Sequence, residues 1–240
     1  MHAFTITIDG AEVPFEPGQT IMEAAEEAGV YIPHLCWHPD FKPHGSCKLC
    51  TVKVNGRYAT SCTLPAAEGM VVENITEELQ ADRRRLTQML FVEGNHYCPF
   101  CEKSGNCQLQ AAAYYVKMEE SFFAHFYPRR ALDASHPDIL LDRDRCIQCE
   151  LCVRASRDVD GKNVFGLAGR GVQTRLVVNS ESGLLKDTDI AKEDFAAHIC
   201  PTGAIIVKRI GYQIPIGERL YDARDIAKVG NRQPVLKPSE

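Results

Sequence analysis

Three stretches of this chain concentrate the side chains that could bind a metal. Between Gly94 and Gln110 stand His96, Cys98, Cys101 and Cys107; upstream stand Cys36, Cys47, Cys50 and Cys62; downstream stand Cys146, Cys149 and Cys152, with Cys200 further on. Thiolate and imidazole donors suit zinc or iron-sulfur clusters rather than calcium or magnesium. Cys47/Cys50, Cys98/Cys101, Cys146/Cys149 and Cys149/Cys152 are all Cys-x2-Cys pairs, which aim two sulfurs at one centre. A disulfide framework is the competing use of eleven cysteines. The odd count, the lack of a secretory signal and a reducing compartment argue against it.

Spacing narrows the choice of metal. Cys36-x10-Cys47-x2-Cys50-x11-Cys62 offers four thiolates in a loop, as a [2Fe-2S] cluster requires. A Rieske centre could use Cys36 and His38 with Cys47 and a later histidine, but position 50 is Cys and Cys62 would be left over. His34, His38 and His44 are therefore read as residues of the loop. In the middle stretch Cys98-x2-Cys101-x5-Cys107 supplies three sulfurs of a cubane [4Fe-4S] cluster, and His96 is the nearest candidate for the fourth ligand. The third stretch, Cys146-x2-Cys149-x2-Cys152 with the remote Cys200-Pro201, is the bacterial ferredoxin run split in half, again a [4Fe-4S] pattern. That run would supply a remote ligand to a second cubane at Ser156, whose own trio would fall at Ile190, Glu193 and Ala196. Four non-ligands together mean one cubane in this segment. Three four-ligand sites need twelve ligands, and eleven cysteines plus His96 supply them. Zinc fits a four-cysteine site, or one of three cysteines and a histidine, equally well by ligand number; the trio with its remote Cys-Pro is what speaks for iron.

The elements that must position these ligands are legible in part. Residues 3–8 alternate as a strand, Asp9-Gly10 is a type I′ turn, and Glu12 to Phe15 completes a hairpin. Thr20 and Glu23 form a capping box for a helix that places Ile21, Ala24, Ala25 and Ala28 on one face and ends at Gly29. Strands at 51–54 and 57–61 turn at Asn55-Gly56, and Met70 to Val72 offers another. A helix from Thr76 to Glu93 carries Leu79, Leu86, Met89 and Leu90 on one face, with Arg83-Arg84-Arg85 read as a solvated face. Leu109, Ala112, Ala113 and Val116 mark a further helix, and the aromatics from Tyr114 to Tyr127 are read as core and interface filler. Val164 to Leu167 and Val172 to Val178 read as strands, and the polar end after Val207 as an extension that lies on a partner.

The fold class is α+β, in four segments: a [2Fe-2S] ferredoxin-like β-grasp domain at 1–75, a helical domain with a His-ligated cubane at 76–135, a bacterial-ferredoxin-like domain with one cubane at 136–210, and an extension at 211–240. A net charge of −5 and the absence of a long Lys/Arg block leave no footprint for nucleic acid or an anionic membrane. No stretch approaches the ~18 apolar residues of a spanning helix, so the chain reads as cytoplasmic.

On these motifs the first segment resembles plant-type ferredoxin domains, except that the usual x4 gap between the first two cysteines is x10 here. That longer spacing is similar to the electron-input modules of complex I and of multi-cluster hydrogenases. The middle stretch, down to Gly105-x-Cys107-x-Leu109-Gln110, resembles the His-ligated motif of the complex I large subunit and of [FeFe] hydrogenases. In most of that family a longer gap precedes the first Cys, whereas here only Tyr97 separates it from His96. Over essentially its full length the chain resembles the small iron-sulfur subunit of the diaphorase half of cytoplasmic NAD-reducing [NiFe] hydrogenases. The resemblance implies an electron relay with one [2Fe-2S] and two [4Fe-4S] clusters. It also implies a flavin/NAD-binding diaphorase subunit and the [NiFe] hydrogenase small and large subunits as partners. No nucleotide-binding Gly-x-Gly-x-x-Gly follows a strand, and every cysteine is already used, so flavin, nicotinamide and hydrogen chemistry fall to those partners. The equivalent module of an NAD-dependent formate dehydrogenase or complex I-like enzyme is the near alternative, in which it is usually fused to a large molybdopterin-type domain. A zinc-stapled binding module is the alternative of another class.

Overall fold

In the computed structural model, which describes residues 4–232, the alternation at the start of the chain builds β1 (Phe4–Ile8) and β2 (Ala11–Phe15), with Ile6 opposite Val13. Asp9 and Gly10 both take positive φ, as a type I′ turn demands. Helix α1 (Ile21–Glu27) starts in the expected capping box: the Glu23 amide donates to the Thr20 hydroxyl and the Glu23 carboxylate accepts the Thr20 N–H. Gly29, at φ 70°, ends it. Strands β3 (Thr51–Val54) and β4 (Arg57–Thr60) form the second hairpin around Asn55-Gly56. β5 (Val71–Glu73) then runs parallel to β1 and antiparallel to β3. The sheet order is β2-β1-β5-β3-β4, and Ile21, Met22, Ala24 and Ala25 of α1 join Ile6, Ile8, Val13, Val52 and Val72 in one core.

The chain divides into two compact units. Among the described residues the first comprises 4–88, 112–120 and 224–232, and the second 89–111 and 121–223. Residues 76–135 thus contribute to both. Within the second unit, β6 (Leu132–Asp133), β7 (Ile139–Asp142) and β10 (Ile205–Val207) make a three-stranded antiparallel sheet in the order β10-β7-β6. β8 (Phe165–Ala168) and β9 (Arg175–Val178) form a separate hairpin. Helices α4 (Leu151–Asp158) and α5 (Phe195–His198) also belong to this unit. Among the described residues no helix is long and apolar enough to cross a membrane.

Helix α2 (Glu77–Glu93) departs from expectation in which face it buries. Met89 is exposed, and the buried line is Leu79, Arg83 and Thr87. Arg83, expected on a solvated face, is only 1 % exposed. Its Nε donates to the Leu49 carbonyl at 3.0 Å, Nη1 to Asn74 O at 2.8 Å, and Nη2 to Thr51 O at 2.9 Å and Asn74 Oδ1 at 2.7 Å. Burial lowers its pKa. A polar face is buried here because Leu49 and Thr51 flank Cys50, and their loop leaves carbonyls that the sheet does not pair. Arg84 is also engaged, on Val116 O at 2.9 Å, and Arg85 alone of the run is exposed.

Helix α3 (Gln108–Tyr115) buries Leu109, Ala112 and Ala113, with Val116 just beyond it, as its pattern predicts. The aromatics that follow are not core: Tyr114, Phe122, Phe126 and Tyr127 are all exposed, while Tyr115 packs edge-on against Tyr31. The polar end after Val207 packs at least partly on this chain itself. Asn231 accepts the Ile32 N–H at 2.9 Å within the first unit, and Arg219 is fully buried within the second. Residues 233–240 of the expected extension, like residue 3 of the first expected strand, lie outside the described residues.

Arg83→Met keeps a stem of similar length but strands the carbonyls of Leu49, Thr51 and Asn74. It is expected to destabilise this unit by ~3 kcal/mol or more. Hydrogen exchange on β3 and α2 checks it, and unchanged protection there would refute the anchoring role.

Candidate iron-sulfur centres

Each ligand-bearing loop is shaped by backbone that ordinary residues avoid. In the first loop Gly45 has φ 72° and Lys48 φ 57°, a left-handed turn between Cys47 and Cys50. A Cβ on Gly45 would stand 3.1 Å from the Thr63 methyl. Cys36, Cys50 and Cys62 are buried and Cys47 half-buried. The sulfurs gather as two pairs: Cys50 Sγ lies 3.4 Å from Cys62 Sγ, and the Cys47 amide points at Cys36 Sγ at 3.5 Å. The hydrogen bond from the Cys47 thiol pulls the Cys36 pKa down, as that from Cys62 does for Cys50, and each donor is pushed up in turn. Ser61 Oγ donates to the Cys50 carbonyl at 2.8 Å. His34 and His38 are occupied locally: His34 Nδ1 pairs with Ile32 O at 2.8 Å, and His38 Nδ1 accepts the Asp40 N–H at 3.3 Å.

The middle loop begins with a 3-10 turn at Cys98–Phe100, opened by Pro99, and closes with the Cys101 amide on Cys98 O at 3.2 Å. Gly105, at φ 77°, reverses the chain toward Cys107, and its amide is held by Gln110 Oε1 at 2.8 Å. Burial raises the Cys98 thiol and pushes the Cys107 thiol up to about 12. The His96 ring stacks near Phe91, with centroids 5.3 Å apart. Burial, then the nearby Arg145 and His125 charges, lower its pKa to about 4, while a bond to the Leu90 carbonyl opposes them. Among the described residues Nε2 is buried without a hydrogen-bond partner. It faces Gly94, where a Cβ would come within 2.5 Å of it. A neutral imidazole anchored by a backbone carbonyl, with its remaining nitrogen unspent, has the chemistry of a metal ligand.

The third loop wraps most tightly. Gln148 and Glu150 both take left-handed φ, at 55° and 58°, so the chain coils from Cys146 through Cys149 into α4. Cys146, Cys149 and Cys152 meet Cys200 around one cavity, closed by Leu167 of β8 and Leu176 of β9. The Gln148 amide points at Cys146 Sγ at 3.4 Å, and Thr202 Oγ1 bonds the Arg145 carbonyl at 2.8 Å. Burial pushes the Cys146 thiol up to about 11 and the Cys152 thiol well above its usual range. Thiols held neutral this way ionise readily only against a bound cation, so a cluster's irons would displace their protons. Where a second ferredoxin cubane would sit, the space is packed: Ser156 accepts the Val164 N–H at 2.8 Å, and Ile190 and Ala196 are buried.

Sequence reading missed how close the middle and third loops lie. The Gln108 amide donates to Pro201 O at 2.9 Å, and Asn95 N donates to Asp144 O at 2.8 Å. The Cβ position of Gly203 is 3.0 Å from Cys101 Sγ and 3.4 Å from Arg145. It also missed the buried Arg83 and Arg219. The only signal for Arg83 was its period with Leu79 and Thr87, and Arg219 had none. Among the described residues no three His, Cys, Asp or Glu side chains converge as they would on a single metal ion.

Three family models tile the chain in the order of these loops. A "2Fe-2S iron-sulfur cluster binding domain" matches residues 2–77, an "NADH-ubiquinone oxidoreductase-G iron-sulfur binding region" 83–121, and a "4Fe-4S single cluster domain" 139–207. These define a multi-cluster iron-sulfur protein. The gamma subunit of the NAD-reducing hydrogenase HoxS of Cupriavidus necator is 44 % identical over 222 residues, 92 % of this chain and 94 % of that protein. A crystal structure of an NAD+-reducing [NiFe]-hydrogenase in the H2-reduced state contains a chain matched with a TM-score of 0.91 and 53 % identity, covering 95 % of this chain and 97 % of that one. The chain belongs to the family of NAD-reducing hydrogenase gamma subunits. It also matches the 78 kDa subunit of NADH-ubiquinone oxidoreductase from Candida albicans, 32 % identical over 87 % of this chain but only 29 % of that protein.

Gly203→Ala alters no candidate ligand, yet its methyl would press on Cys101 Sγ. Iron is expected to fall at the middle site while Cys200 still serves the third. EPR of the reduced protein separates the two signals, and loss confined to the third site would refute the contact.

Proposed function

We propose that this chain relays electrons through three iron-sulfur clusters between a [NiFe] hydrogenase and a flavin/NAD-reducing subunit. The first cluster, [2Fe-2S], would be held by Cys36, Cys47, Cys50 and Cys62. A [4Fe-4S] cluster would be held by His96, Cys98, Cys101 and Cys107, and a second by Cys146, Cys149, Cys152 and Cys200. The carrying observation is that Cys146, Cys149, Cys152 and Cys200 line one pocket although Cys200 is remote in sequence. Bound clusters would supply one-electron redox chemistry. The residues of this chain would hold them, exclude water with Leu167 and Leu176, and set the middle loop beside the third, where the Gln108 amide meets Pro201 O.

That closeness supports direct exchange between the middle and third sites, since even a Cβ on Gly203, three residues past Cys200, would stand 3.0 Å from Cys101 Sγ. The sulfur pairing in the first loop supports one iron on Cys36 and Cys47 and the other on Cys50 and Cys62. A neutral His96 in place of a thiolate would make the middle site less negative than an all-cysteine cubane and raise its potential. The partners would be a flavin/NAD-binding diaphorase subunit and the hydrogenase small and large subunits. A cytoplasmic location agrees with eleven cysteines kept as thiols.

The reading predicts about ten iron atoms per chain with matching acid-labile sulfide, from one [2Fe-2S] and two [4Fe-4S] clusters. Zinc without visible absorption would refute it. Nickel is expected to travel with the chain on co-purification, whereas molybdenum would point to the formate dehydrogenase module. His96→Ala is expected to lose or destabilise the middle cluster alone. An unchanged middle signal in that variant would place the fourth ligand elsewhere.

A further inference from the structure

Within the second unit, the segment before α6 (Leu220–Ala223) is folded onto the middle ligand loop. The Tyr221 amide donates to Gly105 O at 2.8 Å and the Leu220 amide to Asn106 Oδ1 at 3.1 Å. At the centre is Arg219, 1 % exposed. Its Nε donates to Ile214 O at 2.9 Å, Nη1 to Glu102 O at 2.9 Å and Ser104 O at 2.5 Å, and Nη2 to Gly211 O at 2.7 Å. Glu102 and Ser104 lie between Cys101 and Cys107.

All four acceptors are neutral. The Asp222 carboxylate accepts the Gly217 and Arg219 amides at 2.7 and 3.2 Å, and the Glu102 carboxylate packs against Gly211. Neither forms an ion pair with the guanidinium among the described residues. Its one further partner among the described residues is the Tyr212 ring, whose centroid lies 5.5 Å from the guanidinium carbon, so a buried cation is met by carbonyls and a ring face but by no paired carboxylate, and such burial is costly unless an anion lies near. The anion this loop is built to hold is a cluster on three thiolates.

We propose that Arg219 is the fixed counter-charge of the middle cluster, acting as a positioning residue that clamps its ligand loop and raises its reduction potential. The inference rests on reading that loop as a [4Fe-4S] site. Uptake of one electron from a neighbouring cluster adds one negative charge there without a proton, and a buried cation favours that state.

The test is a redox titration followed by EPR, with iron content, on the assembled complex carrying wild-type chain, Arg219→Gln or Arg219→Lys. Arg219→Gln is expected to shift the middle potential downward and leave the other two unmoved, while Arg219→Lys stays near wild type. A full-iron Arg219→Gln protein with an unshifted potential, or equal shifts in both variants, overturns the proposal. Should Arg219→Gln fail to assemble, Arg219→Lys decides alone: a middle signal at wild-type potential supports the counter-charge, and its loss or shift overturns it. Absence of a middle signal in wild type would instead overturn the cluster reading beneath it.

Discussion

Loops that curl around a cluster turn their sulfurs to one side and leave backbone carbonyls on the other, where no strand or helix pairs them. A buried carbonyl without a donor costs about 1–3 kcal/mol, so a chain with three cysteine-rich loops must find donors for many. It does so with arginine. Arg83 serves the carbonyls on both sides of Cys50, Arg219 those of Glu102 and Ser104, and Arg154 that of Cys149. One guanidinium has five donors in a planar fork, which suits several carbonyls at once as no lysine could. The choice of buried face on α2 follows from this requirement: Arg83 faces inward, and Met89 is left outside.

The same loops explain why the thiols suit metal. Burial raises the Cys98, Cys107, Cys146 and Cys152 thiols, Cys107 and Cys146 to about 12 and 11. Such groups are poor nucleophiles and poor ion-pair partners. They gain most from iron, because a bound cation reverses the cost of burying the thiolate. His96 fits this environment differently. It is already neutral and brings no charge to be neutralised, and its buried Nε2, beside Gly94 and without a hydrogen-bond partner among the described residues, is left for coordination.

The region between Ser156 and Ala196 shows how a ferredoxin-like segment does without its second cubane. Ser156 has become a hydrogen-bond acceptor for β8's approach at Val164, and Ile190 and Ala196 have joined the core. Lys162 closes the edge by pairing with Asp194 at 2.8 Å. Packing joins α4 and α5 here.

The sequence by itself determined the candidate ligands and their spacing, the two hairpin turns, the capping box of α1 and the lack of thiols at 156, 190, 193 and 196. Each is written in residues close together in the chain, where spacing and local backbone preference decide. Only the tertiary structure set Gly203 against Cys101 and turned Arg83 and Arg219 inward. Those outcomes depend on which carbonyls the folded loops leave unpaired and which segments meet across a hundred residues or more, as Arg219 meets Glu102. No periodicity records such meetings, because the donor and its acceptors belong to different elements.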